Sequence, residues 1–281
     1  MKKLITLTLT LILSIVACFS LTACGGDKFT GFDIELAREV VDYLNDEYDV
    51  DLEIEFTEID WDSKEALLEN GTIDLVWNGM TITPARAENM TISLPYLYNK
   101  QVAVVRVADV NTYTSVVSMA GANVGAESGS AGEGVIADQN IGAEYISADS
   151  QLDALMALDN GSIDVAIIDS VMAGYYTSTG VYKDKMVIVN NLVLAQEEYG
   201  IAAKKGNESF MAKINEALLA LIDGAYADVA EDFGLTGSCS LVAGTVNPYA
   251  NATDASWNDI VESGKIIIGY TVFAPIAYTA D

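Results

Sequence analysis

Apolar and polar positions change period in a regular order along this chain. Residues 33–48 carry apolar side chains at helical spacing, and residues 51–57 read as a strand. Residues 64–69 are again helical, and an apolar run follows at 73–77. One phrase then recurs. Leu68-Glu69-Asn70-Gly71-Thr72-Ile73-Asp74-Leu75-Val76 matches Leu158-Asp159-Asn160-Gly161-Ser162-Ile163-Asp164-Val165-Ala166 at an offset of 90 residues. In each copy a helical pattern precedes Asn-Gly, which suits a helix C-terminus because a left-handed residue is needed there. The short apolar run after it reads as a buried strand. The offset is too long for a solenoid repeat and predicts two similar α/β lobes.

The second copy has similar neighbours: a strand at 123–126, a Gly/Ser loop, a helix at 133–138 and a strand at 144–147. Such alternation predicts an α/β fold in which each lobe is a mostly parallel sheet flanked by helices. Ligands on these sheets bind outside the carboxyl ends of the strands, so the cleft between the lobes is the natural site. Extended segments at 100–107 and 192–204 can cross between the lobes as a hinge. Helical patterns at 208–222 and 226–233 complete the first lobe, and a helix at 256–264 precedes a strand at 265–270. The second lobe opens on a strand but the first opens on a helix. The strand that the first lobe lacks is the one at the C-terminus.

Composition narrows the function. The chain has 281 residues, 41 acidic and 14 basic, no histidine and a net charge of -27. No basic stripe exists to neutralise phosphates, which excludes a large nucleic-acid contact. Without histidine there is no Ser-His-Asp or Cys-His hydrolase arrangement and no histidine-held zinc. Cys18, Cys24 and Cys239 cannot make a disulfide framework. Met1-Lys2-Lys3, an apolar stretch at 4–23 and Leu21-Thr22-Ala23-Cys24 form an export signal that resembles a bacterial lipobox. Residues 1–23 are then removed and Cys24 carries lipid. No second stretch is long and apolar enough to span a bilayer. The mature protein is thus expected outside the cytoplasm, tethered to the bacterial cell membrane.

Several segments together resemble the two-lobed, periplasmic-binding-protein-like (type II) solute-binding proteins of polar amino-acid ABC importers. They are Phe29-Thr30-Gly31-Phe32-Asp33-Ile34-Glu35-Leu36-Ala37, Ile59-Asp60-Trp61-Asp62, Trp77-Asn78-Gly79-Met80-Thr81-Ile82-Thr83-Pro84-Ala85-Arg86, Leu94-Pro95-Tyr96 and the stretch 124–132. In that family a segment like 256–281 precedes one like 27–37. Here it follows everything else, so the order reads as a circular permutation with the first strand of lobe 1 at the C-terminus. Lobe 1 is expected at 24–104 and 193–281, and lobe 2 at 105–192. The resemblance implies a monomer that binds a free amino acid, closes on it and docks on the transmembrane subunits of an ABC permease. It implies no cofactor, no metal and no catalytic residue. A dehydratase acting on cyclohexadienyl substrates, on the same fold, is the alternative, and a ligand-sensing module is a third.

A free amino acid needs a cation and N–H donors for its carboxylate, and acceptors for its ammonium. Arg86 offers a planar fork to the carboxylate, behind a Thr83-Pro84 helix start. Thr81 can add a donor. Asp169 stands after the second repeat strand where Gly79 stands after the first, so both face the cleft. Asp169 and the Gly79 carbonyl are the expected ammonium acceptors, although Asp169 could instead cap a helix at 170–176. Glu127-Ser128-Gly129-Ser130-Ala131-Gly132 follows a strand and opens a helix. Ser130 and Ala131 are expected to close on the carboxylate, and Glu127 in the cleft suits a cationic side chain. Asn78 belongs to the first-lobe motif. Trp61 and Phe273 are expected as aromatic walls, while Trp77 serves equally well as core. Thr271 lies near a position where the family commonly has an acid.

Overall fold

The computed structural model describes residues 28–179 and 181–280. The export signal, the lipobox and Cys24 lie outside the described residues. The chain runs β1 (Lys28–Thr30), α1 (Phe32–Tyr48), β2 (Glu53–Glu58), α2 (Lys64–Glu69), β3 (Leu75–Val76), α3 (Pro84–Asn89), β4 (Met90–Ile92) and β5 (Leu97–Arg106). Next come β6 (Asn123–Glu127), α4 (Ala131–Gln139), β7 (Glu144–Ala148), α5 (Gln151–Asn160), β8 (Val165–Asp169), α6 (Ser170–Ser178) and β9 (Met186–Tyr199). The last part is β10 (Ala202–Lys204), α7 (Glu208–Ala220), α8 (Ala225–Asp232), α9 (Ser256–Ser263), β11 (Lys265–Tyr270) and β12 (Tyr278–Ala280).

Two sheets result, ordered β2-β11-β3-β10-β4 and β7-β6-β8-β5-β9. In the first, β2, β11 and β3 are parallel and β10 runs against both its neighbours. In the second, β7, β6 and β8 are parallel and β5 runs against both its neighbours. Each sheet is therefore mostly parallel, with a single reversed strand that adjoins a crossing between the lobes. The first sheet lies under α1 and α7, where Phe32, Leu36, Val40 and Leu44 meet Phe210, Ile214, Leu218, Ile266 and Ile268. The i, i+4 spacing on α1 puts these side chains on one stripe, which is what the helical periodicity demanded. The second sheet is covered on both faces by separate clusters, one around Val124, Ile136 and Ile167 and the other around Leu155, Leu158 and Ile168.

The repeat is visible atom by atom. Asn70 Oδ1 accepts from Thr72 N at 2.9 Å, and Asn160 Oδ1 accepts from Ser162 N at 2.9 Å. Gly161 takes the left-handed C-cap with φ 84°, whereas in the first copy Asn70 stays right-handed and Gly71 carries φ 75°. Asp74 receives Ile267 N of β11 at 2.8 Å, and Asp164 receives Asn123 N of β6 at 3.0 Å. The strand β11 is thus the counterpart of β6. It supplies the first lobe with the parallel strand that the sequence lacked at its start, in register Lys265↔Glu53 to Tyr270↔Glu58. β1 and β12 pair antiparallel, Lys28↔Ala280, so the two ends of the described chain are neighbours.

The crossings differ from expectation in position. The division points at 104/105 and 192/193 fall inside β5 and β9, which belong wholly to the second sheet. The chain changes lobes at residues 93–96 and 200–201, where Ser93 N donates to Ile201 O at 2.8 Å and Tyr96 N to Tyr199 O at 2.9 Å. Alternating apolar residues continue through both crossings, so hydropathy carries no mark of the change. The single extended run at 192–204 is two strands, β9 and β10, in different sheets.

Candidate functional site

The carboxyl ends of all six parallel strands that lead into helices or loops point at the cleft, three from each lobe. Trp61 follows β2, Thr271 and Phe273 follow β11, and Asn78 and Gly79 follow β3. From the second lobe come Gln151 after β7, Glu127 to Ala131 at the end of β6, and Asp169 at the end of β8. Together with Thr81 and Arg86 these residues line one cavity between the lobes. Its lining sets a few charged and polar side chains among aromatic rings, which suits a small polar molecule. Every residue expected from the sequence to contact a ligand lies on this cavity. Gln151 and Thr271 join them, and Trp77 does not. It is 1% exposed in the first core with its ring centroid 6.4 Å from that of Tyr96.

Arg86 sits on α3, which starts as expected: Thr83 Oγ1 accepts from Arg86 N at 3.2 Å and Pro84 takes the first turn. Its guanidinium is buried. Nη1 donates to Thr81 O at 2.8 Å and Nη2 reaches across the cleft to Gly129 O at 3.0 Å. No acid pairs with it among the described residues. Burial lowers its proton affinity, against the attraction of Glu197, Glu65, Asp169 and Glu127. A buried cation bonded only to neutral carbonyls is matched by an anion that enters the cavity.

Asp169 is also buried, and its carboxylate is held by amides. Gln101 Nε2 donates to Oδ1 at 2.6 Å, Asn99 also donates to Oδ1, and Gln151 donates to Oδ2. Asp169 N in turn donates to Gln151 Oε1 at 2.9 Å. Its side chain makes no capping bond to α6. Burial holds the carboxyl well above the ordinary value and Glu197 adds to this. Glu197, on β9, shares the amides of Asn99 and Gln101 with Asp169. Nothing in the residue pattern marked Glu197, because its partners are 28 to 98 positions away and meet it only through sheet pairing.

Gly79 is held by Asp33, whose Oδ2 accepts from Gly79 N at 2.7 Å and from Tyr96 OH at 2.7 Å. Gly79 has φ 61°, and a Cβ there would come within 2.7 Å of the Phe273 ring. Only glycine lets the ring close on the strand end. Burial pushes Asp33 up to about 7, opposed by the bonds from Tyr96 and Gly79.

The loop after β6 makes polar contacts between the lobes. Gly129, with φ 66°, turns its carbonyl toward the first lobe, where it accepts from Lys64 Nζ at 3.2 Å as well as from Arg86. Ser128 Oγ donates to Asp62 Oδ2 at 3.1 Å. Ser130 caps α4 by accepting from Glu133 N at 3.2 Å. Lys64 had no mark in the sequence beyond its helical setting. It is 4% exposed, donates to Trp61 O at 2.9 Å and lies 4.8 Å from the centre of the Trp61 ring. Burial draws it down to about 8, assisted by Arg86.

A two-lobed α/β protein whose cleft holds a buried guanidinium and a buried carboxylate is a small-molecule receptor in its architecture. Residues 18–236 match the bacterial extracellular solute-binding proteins, family 3, and the chain belongs to that family. It is 29% identical over 212 residues to the ABC transporter arginine-binding protein 1 of Escherichia coli (strain K12), covering 74% of this chain and 82% of that protein. A substrate-binding protein of an ABC uptake transporter from Streptococcus pneumoniae, solved with bound histidine, superposes with a TM-score of 0.66 at 31% identity, over 76% of this chain and 85% of that one. AncCDT-1, an ancestral amino acid-binding protein and precursor of cyclohexadienyl dehydratase, gives a TM-score of 0.65 at 25% identity, over 73% of this chain and 86% of that one.

Proposed function

We propose that this protein is the extracytoplasmic, amino-acid-capturing component of an ABC importer, working as a monomer held at the membrane by a lipid on Cys24. The observation that carries the reading is the pair of opposite buried charges on one enclosed cavity, Arg86 and Asp169. They match the two ends of a zwitterion. Arg86, with Thr81, Ser130 and the Ala131 backbone, takes the α-carboxylate. Asp169 and the Gly79 carbonyl take the ammonium, and Trp61, Phe273 and Asn78 border the side chain. The lobes close about the crossings at 93–96 and 200–201, and the closed form docks on the permease.

A thermal-shift and calorimetric panel over the common amino acids and cystine tests this. A ligand at about 100 times its Kd stabilises the protein by about 2.7 kcal/mol. A panel in which no amino acid shifts the melting temperature refutes the reading. The enzyme alternative requires turnover of prephenate or arogenate, and we expect none, because Asp169 is assigned to the ammonium and Glu127 is the one other carboxyl on the cavity lining.

We propose further that the chain order is a circular permutation of the family's. The position of β11 supports it: this strand lies beyond the family match at 18–236, yet sits between β2 and β3 and leads directly to Thr271 and Phe273 on the cavity. A chain that stops at Gly244 should not fold cooperatively. If it folds and binds ligand, the C-terminal segment is a dispensable tail.

A further inference from the structure

Given an amino acid in this cleft, we infer that its side chain is cationic and that Glu127 is the counter-charge that selects it. The inference rests on the proposed function and concerns the part of the ligand that Arg86 and Asp169 leave unassigned.

Glu127 ends β6, is 4% exposed and lines the cavity. Its carboxyl has the neutral amide of Gln151 as hydrogen-bond partner and no ion pair among the described residues. The charged groups acting on it are Lys64 and Arg86, which attract, and Asp153, which repels. Neither cation is spent on it. Lys64 Nζ is bonded to the carbonyls of Trp61 and Gly129, and Arg86 to those of Thr81 and Gly129.

The chemistry of the lining then points one way. With the zwitterionic backbone taken by Arg86 and Asp169, Glu127 is the remaining carboxyl on the cavity. A cationic side chain can pair with its ionised form, whereas an acidic one would bury a second carboxyl against it. A neutral aliphatic side chain would bury the Glu127 carboxyl with no new partner, along with Asn78, whose Oδ1 is already buried without a hydrogen bond. The rings of Trp61 and Phe273 on the same lining favour a cation through their π faces.

Proton linkage gives a second reading of the same contact. Burial pushes Glu127 up to about 8 in the ligand-free protein. At pH 7 the carboxyl is therefore about nine-tenths protonated. A cationic side chain needs the ionised form and expels that proton. The backbone contacts are common to all α-amino acids, so the signature of Glu127 is the additional proton released by cationic over neutral ligands.

Titration calorimetry at pH 7 in phosphate and in Tris, with L-arginine, L-lysine, L-glutamine and L-glutamate, reads both effects. We expect arginine or lysine to bind at least about tenfold more tightly than glutamine, a gap of about 1.4 kcal/mol, with glutamate weakest. The tighter cation should release close to one proton more than glutamine does. In Glu127→Gln the affinity ratio should fall toward one and the extra proton should vanish. Glutamine or glutamate binding as tightly as both cations overturns the inference while leaving amino-acid capture intact. So does a folded Glu127→Gln protein that keeps the preference. If that variant does not melt cooperatively, the wild-type ranking and proton count decide. Failure of all four ligands, and of the wider panel, overturns the capture function itself.

Discussion

Replacing Arg86 by alanine is the sharpest test of the site, because the structure separates its effect on binding from its effect on folding. In the ligand-free protein the guanidinium bonds two neutral carbonyls, one in its own lobe and one across the cleft. Each such bond to a charged group is worth about 1.5–3 kcal/mol, and the desolvation of a buried cation without an acid partner opposes them. Folding stability should therefore change little. Binding is different. Removing one partner of a buried ion pair costs about 3–5 kcal/mol because the other charge stays buried and unpaired. At 1.4 kcal/mol per factor of ten, that raises Kd by roughly 10²–10³·⁵. Arg86→Lys keeps the charge but loses the two-pronged geometry, and should fall between alanine and wild type. Calorimetry with the best ligand of the amino-acid panel measures all three proteins. A loss below about tenfold for Arg86→Ala, in a protein that melts like wild type, would mean the carboxylate is bound elsewhere.

Asp169→Asn should weaken α-amino acids more than the matching deaminated acids, measured by calorimetry on both classes. Equal weakening would assign the carboxylate to the amide network of Asn99, Gln101 and Gln151 rather than to the ammonium. Glu127→Gln should change how stability depends on pH. Its folded carboxyl is raised from 4.5 to about 8, so it holds a proton that the unfolded chain has released between those values. The stability it contributes is full below the unfolded value and is lost as pH rises through about 8. The variant cannot ionise there, so its melting temperature relative to wild type should climb between about pH 5 and about pH 8.5. A constant difference across that range would mean Glu127 ionises as it does in water.

Much of this protein is legible in its residue order, and the reason is locality. The helix stripe on α1, the cap at Thr83, the Asn-Gly turns and the Ile266-Ile267-Ile268 run depend on neighbours within a few positions. Their periodicity identifies them without a partner. The repeat then carried long-range information, since equal segments occupy equal places. Aligning Asp74 with Asp164 puts Gly79 and Asp169 at strand ends on one cleft. What the order of residues could not carry is whatever depends on which distant atoms share a dielectric environment. The lobe boundaries were displaced because a crossing strand stays apolar from one sheet into the next. Lys64 and Glu197 carried no local mark, and became part of the site only when sheet pairing and cleft closure buried them beside Arg86 and Asp169. Trp77 and Trp61 are the same residue type, Trp61 expected as a wall of the site and Trp77 serving equally well as core. One went to the core and the other to the cavity, a choice set by which face of the finished sheet each side chain met.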